Sequence, residues 1–278
     1  MFKRLHLSFL IFVSTFLRAG ETITVKGSDT MVILNQRWAE TYMAGHPGIV
    51  IQVTGGGSGT GISALIAGST DVCAASRPMK PEEVEQIRRK QGAPPVETPV
   101  AKDGVAIYLN ASNPVNALSM GQLRSLFTGA AVRWSVVGGE DRRVVLYSRE
   151  NNSGTYVFFK EHVLKNDDFS DYALTLPGTA GVVNAVSRDP AGIGYGGSSS
   201  KTAGIKVCAV RPDDAHPAVL PAEENILSGA YPVSRDLYYY TAPAPKGAVK
   251  DFLAWVLSGD GQAVVVRAGY FPVKKKTP

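Results

Sequence analysis

The chain has 278 residues, 44% of them hydrophobic and 19% charged, which fits a soluble globular protein with one large or two modest cores. Its formal net charge of +5 comes from the two ends, because Lys3, Arg4 and Arg18 lie near the start and Lys274, Lys275 and Lys276 near the finish. The body is close to neutral and carries no basic stripe with interleaved aromatics, which excludes nucleic acid as a partner.

Residues 1–20 read as a secretory leader. Lys3 and Arg4 form the charged start, Leu5 to Leu17 the apolar run, and Arg18-Ala19-Gly20 an imperfect cleavage site near residue 20. The run is short for a membrane span, and no cysteine follows it to carry a lipid. An uncleaved anchor is the alternative. A leader places the mature protein in the periplasm or outside the cell, where a disulfide between Cys73 and Cys208 is permitted. Both cysteines sit in apolar strand-like runs, so free core thiols are an equal reading, and no Cys/His spacing suits zinc.

After the leader, Thr22–Val25 reads as a strand, the turn Lys26-Gly27-Ser28-Asp29-Thr30 follows, and Val32, Leu34, Trp38 and Tyr42 mark a helix. Ser28 or Asp29 would cap that helix unless it faces a ligand. Ile49–Val53 is a second strand, and Gly55, Gly56, Gly57, Gly59 and Gly61 make a loop that opens a helix through Ile62, Leu65 and Ile66. Asp71–Ala75 is a third strand, ending at Ser76-Arg77. Pro78–Gln91 reads as a helix whose acids precede its bases, in accord with the helix dipole. Val105–Leu109 is a strand, Ser119–Phe127 a helix and Val144–Tyr147 a strand. A second polar loop, Ser148-Arg149-Glu150-Asn151-Asn152-Ser153-Gly154-Thr155, then opens a helix to about Leu164. Gly181–Val186 is helical, Gly192–Gly196, Ile205–Val210 and Leu237–Thr241 are strands, and Ala248–Leu257 and Gly261–Ala268 are helices. Strands alternating with helices argue for parallel sheets. Two strand–loop–helix units of this kind suggest two α/β lobes facing across a cleft.

A glycine loop between strand and helix turns backbone N–H groups toward an anion at the positive end of the helix dipole. An NTPase phosphate loop is ruled out, since no lysine follows any of these glycines. A nucleophile elbow fails at Ser58 and at Ser153, and His46, His162 and His216 have no evident triad partner. Gly59-x-Gly61-x-x-Ala64 matches a dinucleotide fingerprint, yet Ser76-Arg77 stands where the ribose-binding acid belongs. The remaining reading is a small tetrahedral oxyanion. Ser28, Thr30, Ser58, Ser76, Ser153 and Thr155 would offer hydroxyls, Gly59, Gly154 and Thr155 backbone N–H groups, and Arg149 a bidentate fork. The alternative for Arg149 is a salt bridge to Glu150.

The segments Gly27–Met31 (GSDTM), Thr54–Asp71, Ala75–Glu83 (ASRPMKPEE) and Ser148–Phe159 (SRENNSGTYVFF), in this order, resemble the phosphate-binding proteins of bacterial phosphate ABC importers. The resemblance runs from about residue 22 to the C-terminal GYFPV. It implies the two-lobed type II periplasmic-binding-protein fold, each lobe a mostly parallel sheet flanked by helices, joined by a two-strand hinge. It also implies phosphate contacts at Ser28, Asp29, Thr30, Ser58, Ser76, Arg149, Ser153, Gly154 and Thr155. Some members place an aspartate near the end of the third strand to accept the proton of the bound phosphate. Here that place holds Ser76-Arg77, so Asp29 becomes the candidate acceptor, which a sulfate ion could not satisfy. Arg77 has two open readings, as a ligand contact and as a buttress of the loops.

The expected division is a leader over 1–20, a first lobe over 21–103 and 232–278, and a second over 104–231. The expected function is capture of inorganic phosphate and delivery to a membrane permease by a monomer. No catalytic residue, cofactor or metal is expected. A receptor for sulfate, a secreted phosphate sensor, a phosphohydrolase and a dinucleotide-binding enzyme are the alternatives.

Overall fold

The computed structural model describes residues 20–200 and 202–273; the leader expected over 1–20 lies almost wholly outside them. The described residues open with β1 (Glu21–Gly27), a 3-10 turn (Asp29–Met31), α1 (Val32–Gly45), β2 (Ile49–Thr54), α2 (Ser58–Ala67), β3 (Val72–Ala75) and α3 (Pro81–Gln91). A long strand, β4 (Val96–Asn110), leads into β5 (Ala117–Ser119), α4 (Met120–Phe127), β6 (Val145–Arg149), α5 (Gly154–His162), β7 (Leu174–Leu176), α6 (Gly178–Arg188), β8 (Gly192–Gly197) and β9 (Ile205–Arg211). The return comprises α7 (Glu223–Ser228), β10 (Ser234–Thr241), α8 (Gly247–Val256) and α9 (Gly259–Arg267).

The strands follow the order β2-β1-β3-β10-β4-β8-β6-β7, with β9 also on β4 and β5 on β9. Within each half the strands pair in parallel, as alternation with helices requires: β1 with β2 and β3, β6 with β7 and β8, β5 with β9. Between the named strands of the described residues, the antiparallel pairings all involve β4 or β10, the strands that carry the chain across the molecule and back. β4 holds β10 from Val96 to Gly104 and β8 from Val105 to Leu109, so one strand serves both halves. From Asp103 to Asn110 every residue of β4 is buried.

Two large apolar clusters lie on either side of this crossing. One gathers Ile23, Trp38, Val72, Leu237, Tyr239, Phe252 and Val264, with Trp38 edge-on to Tyr239 at 5.5 Å. The other gathers Ile107, Phe127, Trp134, Phe159, Tyr195 and Cys208, with Phe159 stacked on Tyr195 at 4.1 Å. Polar side chains fix the helix starts. Ser119 and Gln122 form a reciprocal capping box on α4, and the Ser153 hydroxyl accepts from the Tyr156 amide on α5. Cys73 and Cys208 are both free and buried, in separate clusters, so the core-thiol reading holds and the disulfide does not form.

The β1–α1, β2–α2, β3–α3 and β6–α5 connections leave parallel strands at their carboxyl ends. That is where open α/β sheets place ligands.

Candidate functional site

Each expected hydroxyl is positioned by a strand end or a first helical turn. Ser28 follows β1, Ser58 opens α2, Ser76 follows β3, and Ser153 and Thr155 flank Gly154 at the start of α5. Ser28, Ser58, Ser76, Ser153, Thr155 and Thr30 are all almost fully buried. Ser28 Oγ donates to Ser76 Oγ at 2.9 Å, and Ser58 Oγ lies 3.3 Å from Ser76 Oγ while accepting the Ser76 amide at 3.0 Å. Gly154 comes from the other half and meets this cluster. A Cβ built on it would fall onto Ser58 Oγ and within 2.7 Å of Ser76 Oγ. Across the same gap the Thr30 and Thr155 hydroxyls lie 3.0 Å apart.

The two helix starts behave differently. The first-turn amides of α5, including those of Gly154 and Thr155, lack intrahelical partners as at every helix start, and Gly154 stands directly against the converging serines. On α2 the Gly59 amide, expected to meet the anion, donates instead to the Asn152 carbonyl at 2.9 Å.

The charges are paired around this cluster. Arg149 has a side chain 1% exposed, and its Nη2 donates to Asp29 Oδ2 of the other half at 2.8 Å. Its Nε donates to Glu150 at 3.1 Å and its Nη1 to the Thr179 hydroxyl at 3.1 Å. The Glu150 salt bridge and the cleft position therefore coexist. Asp29 Oδ1 accepts the Gly56 amide at 2.8 Å. Neither Ser28 nor Asp29 makes the side-chain helix cap that sequence allowed, since their oxygens are used inside the cleft. A groove of about 730 Å³, lined by Asp29, Val32 and Ile33 on one side and Thr179, Val183 and Asn184 on the other, runs beside the site.

Arg77 turns away. Its two terminal nitrogens grip Glu83 at 2.8 and 2.7 Å, and one also donates to Pro78 O. Glu83 also accepts the Lys80 amide at 2.7 Å, so the pair fastens the β3 end to the first turn of α3. Of the two readings open for this residue, the hydrogen bonds are those of the buttress.

Several residues at the site carry no local signal in the sequence. Arg235, at the start of β10, donates to Asp103 at 2.8 and 3.2 Å, to Ser76 O at 3.0 Å and to Thr30 Oγ1 at 3.4 Å. Its guanidinium sits 5.5 Å over the Phe158 ring of the other half. Burial pushes the Asp103 carboxyl up, and the Arg235 charge pulls against it. Thr179 joins from α6, and the Tyr270 hydroxyl donates to Thr30 O. Asn152, in the second polar loop, lies outside the buried cluster and donates to Gly56 O at the rim. The histidines take other places: His46 bonds Tyr42 O, His162 bonds Pro232 O, and His216 pairs with Asp213 at the surface, a partner the spacing did not suggest. Among the described residues no group of three or more His, Cys, Asp or Glu is placed to hold a metal.

Residues 17–260 match the family model described as the PBP superfamily domain. The phosphate-binding protein PstS of Pseudomonas aeruginosa is 37% identical, over 90% of this chain and 82% of its own length. The chain belongs to the PstS family of phosphate-binding proteins. PstS of Bacillus subtilis is 32% identical over 92% of this chain and 82% of its own length. A Clostridium perfringens phosphate ABC transporter substrate-binding protein solved with bound phosphate superposes with a TM-score of 0.83 at 27% identity, covering 91% of this chain and all of that one. PstS-family membership confirms the two-lobed type II fold, with β4 and the return into β10 as its paired crossings.

Proposed function

We propose that the protein captures inorganic phosphate between its two lobes and hands it to the membrane permease of an ABC importer. The observation that carries this reading is the meeting, from opposite lobes, of the Ser28, Ser58 and Ser76 hydroxyls with the α5 start at Gly154, beside the buried Arg149 guanidinium and the Asp29 carboxylate. A dianion loses its hydration only where each oxygen gains donors and a cation lies near. Ser28, Thr30, Ser58, Ser76, Ser153, Gly154 and Thr155 supply the donors and Arg149 the cation. Asp29, held between the Gly56 amide and Arg149, keeps lone pairs for the proton of the bound phosphate and repels a fully deprotonated sulfate. Gly59 and Arg77 shape the loops from behind.

The lobes comprise residues 21–103 with 232–278, and 104–231; the two apolar clusters and the Asp103–Arg235 ion pair at the boundary support this division. Binding would draw the lobes together, and the closed monomer would dock on the permease outside the cytoplasm, after removal of the leader. No step on the substrate is needed, so the protein acts without catalysis.

The test is calorimetric titration of the mature protein, freed of ligand, with phosphate and then sulfate. One-to-one phosphate binding without sulfate heat is expected. Equal binding of both would overturn the role of Asp29, and binding of neither would overturn the function.

A further inference from the structure

Asn152 reaches across the cleft from the second lobe to the glycine loop of the first. Its carbonyl accepts the Gly59 amide at 2.9 Å. Its side-chain amide donates to Gly56 O at 3.0 Å and to Thr60 Oγ1 at 3.2 Å. Those partners flank the start of α2, and Asn152 itself is exposed at the rim, outside the buried serine cluster.

The loop beneath it is shaped to receive it. Gly57 has a φ of +89°, and a Cβ there would stand 2.7 Å from Asn152 O. A Cβ on Gly59 would stand 3.2 Å from the same oxygen. Gly57 and Gly59 read in the sequence as parts of an anion loop; in the fold they are the bare seat on which the other lobe lands. Thr60 is also tied to the loop by its own bond to Gly56 O at 2.6 Å, independent of Asn152.

We infer that Asn152 is a latch, a positioning residue that holds the lobes shut over the anion without touching it. This rests on the phosphate reading above. A latch that forms only on closure stabilises the closed complex and leaves the encounter of anion with open cleft unchanged. Its loss therefore falls on the dissociation rate. Losing the two side-chain hydrogen bonds corresponds to roughly a tenfold change.

The experiment is stopped-flow measurement of phosphate association and dissociation for wild type, Asn152→Ala and Asn152→Asp, with sulfate competition. Asn152→Asp keeps the shape and replaces the donor by a charge facing Gly56 O. Both variants should release phosphate about tenfold faster or more, associate within about twofold of wild type, and keep the wild-type phosphate-over-sulfate ratio. Small-angle scattering at subsaturating phosphate should show a smaller closed fraction. Wild-type dissociation in both variants would overturn the latch, and so would a changed anion ratio, which would put the side chain on the ligand. A wild-type protein that binds no phosphate would overturn the functional reading and the latch with it, whereas normal wild-type binding with unaltered variants overturns the latch alone.

Discussion

Asp29 holds three relationships at once, with the Gly56 amide, with Arg149 and, in the proposed function, with the proton of phosphate. Asn keeps the shape but trades an acceptor for a donor. Asp29→Asn should weaken phosphate binding by about tenfold or more and narrow the phosphate-over-sulfate ratio, read by competitive titration. Gly154 separates folding from binding. Its backbone is outside the left-handed region, so alanine suits the first turn of α5, yet the added methyl would collide with Ser58 Oγ on closure. Gly154→Ala should keep or raise the unfolding temperature while phosphate affinity falls roughly 10- to 100-fold. The serines, threonines and Arg149 were legible in the sequence because each stands where a strand meets a glycine-rich turn. Arg235 was not. Its bonds join it to residues 132, 159 and 205 positions away, and β10 shows only an aromatic run locally.

At the scale of elements, α3 is tied to the end of β3 by the Arg77–Glu83 pair, with side chains 7% and 17% exposed. Burial raises the Glu83 carboxyl, but the Arg77 fork outweighs it and holds the group below its ordinary value of 4.5. The pair therefore contributes in full above pH 4.5 and is lost as pH falls through the lowered native value. Arg77→Met should cost about 2–4 kcal/mol at neutral pH, less than a fully enclosed pair, and flatten the acid limb of a denaturation series. Phosphate selectivity should not change. Most elements were legible from period and punctuation. β4 was read only over Val105–Leu109, because Pro99 and Asp103-Gly104 interrupt the apolar pattern where the strand continues along β10. The three-residue strands β5 and β7 and the short α7 were missed, being too brief to show a period. The antiparallel pairings escaped notice because alternation reports local units, and these pairings belong to the passage between lobes.

Across the whole molecule the two thiols report on the two halves. Burial pushes the Cys208 thiol up to about 12 and the Cys73 thiol higher still, so neither should react with a thiol reagent at neutral pH until its half opens. They can also time the halves separately. The second half is one continuous stretch of chain, whereas β10 lies between β3 and β4 of the first. Until Thr241 is in place, β3 and β4 each have an unpaired edge, and Tyr239 and Phe252 are missing from the core around Trp38. The order of completion is then inverted relative to the order of synthesis. The middle of the chain can finish first, and the beginning must wait for the end. In refolding, Cys208 should become protected before Cys73. In a cell, a polypeptide made from its N-terminus onward would keep the β1–β3 region unfinished until β10 and α8 had been added, and would depend on whatever shields such edges in the meantime.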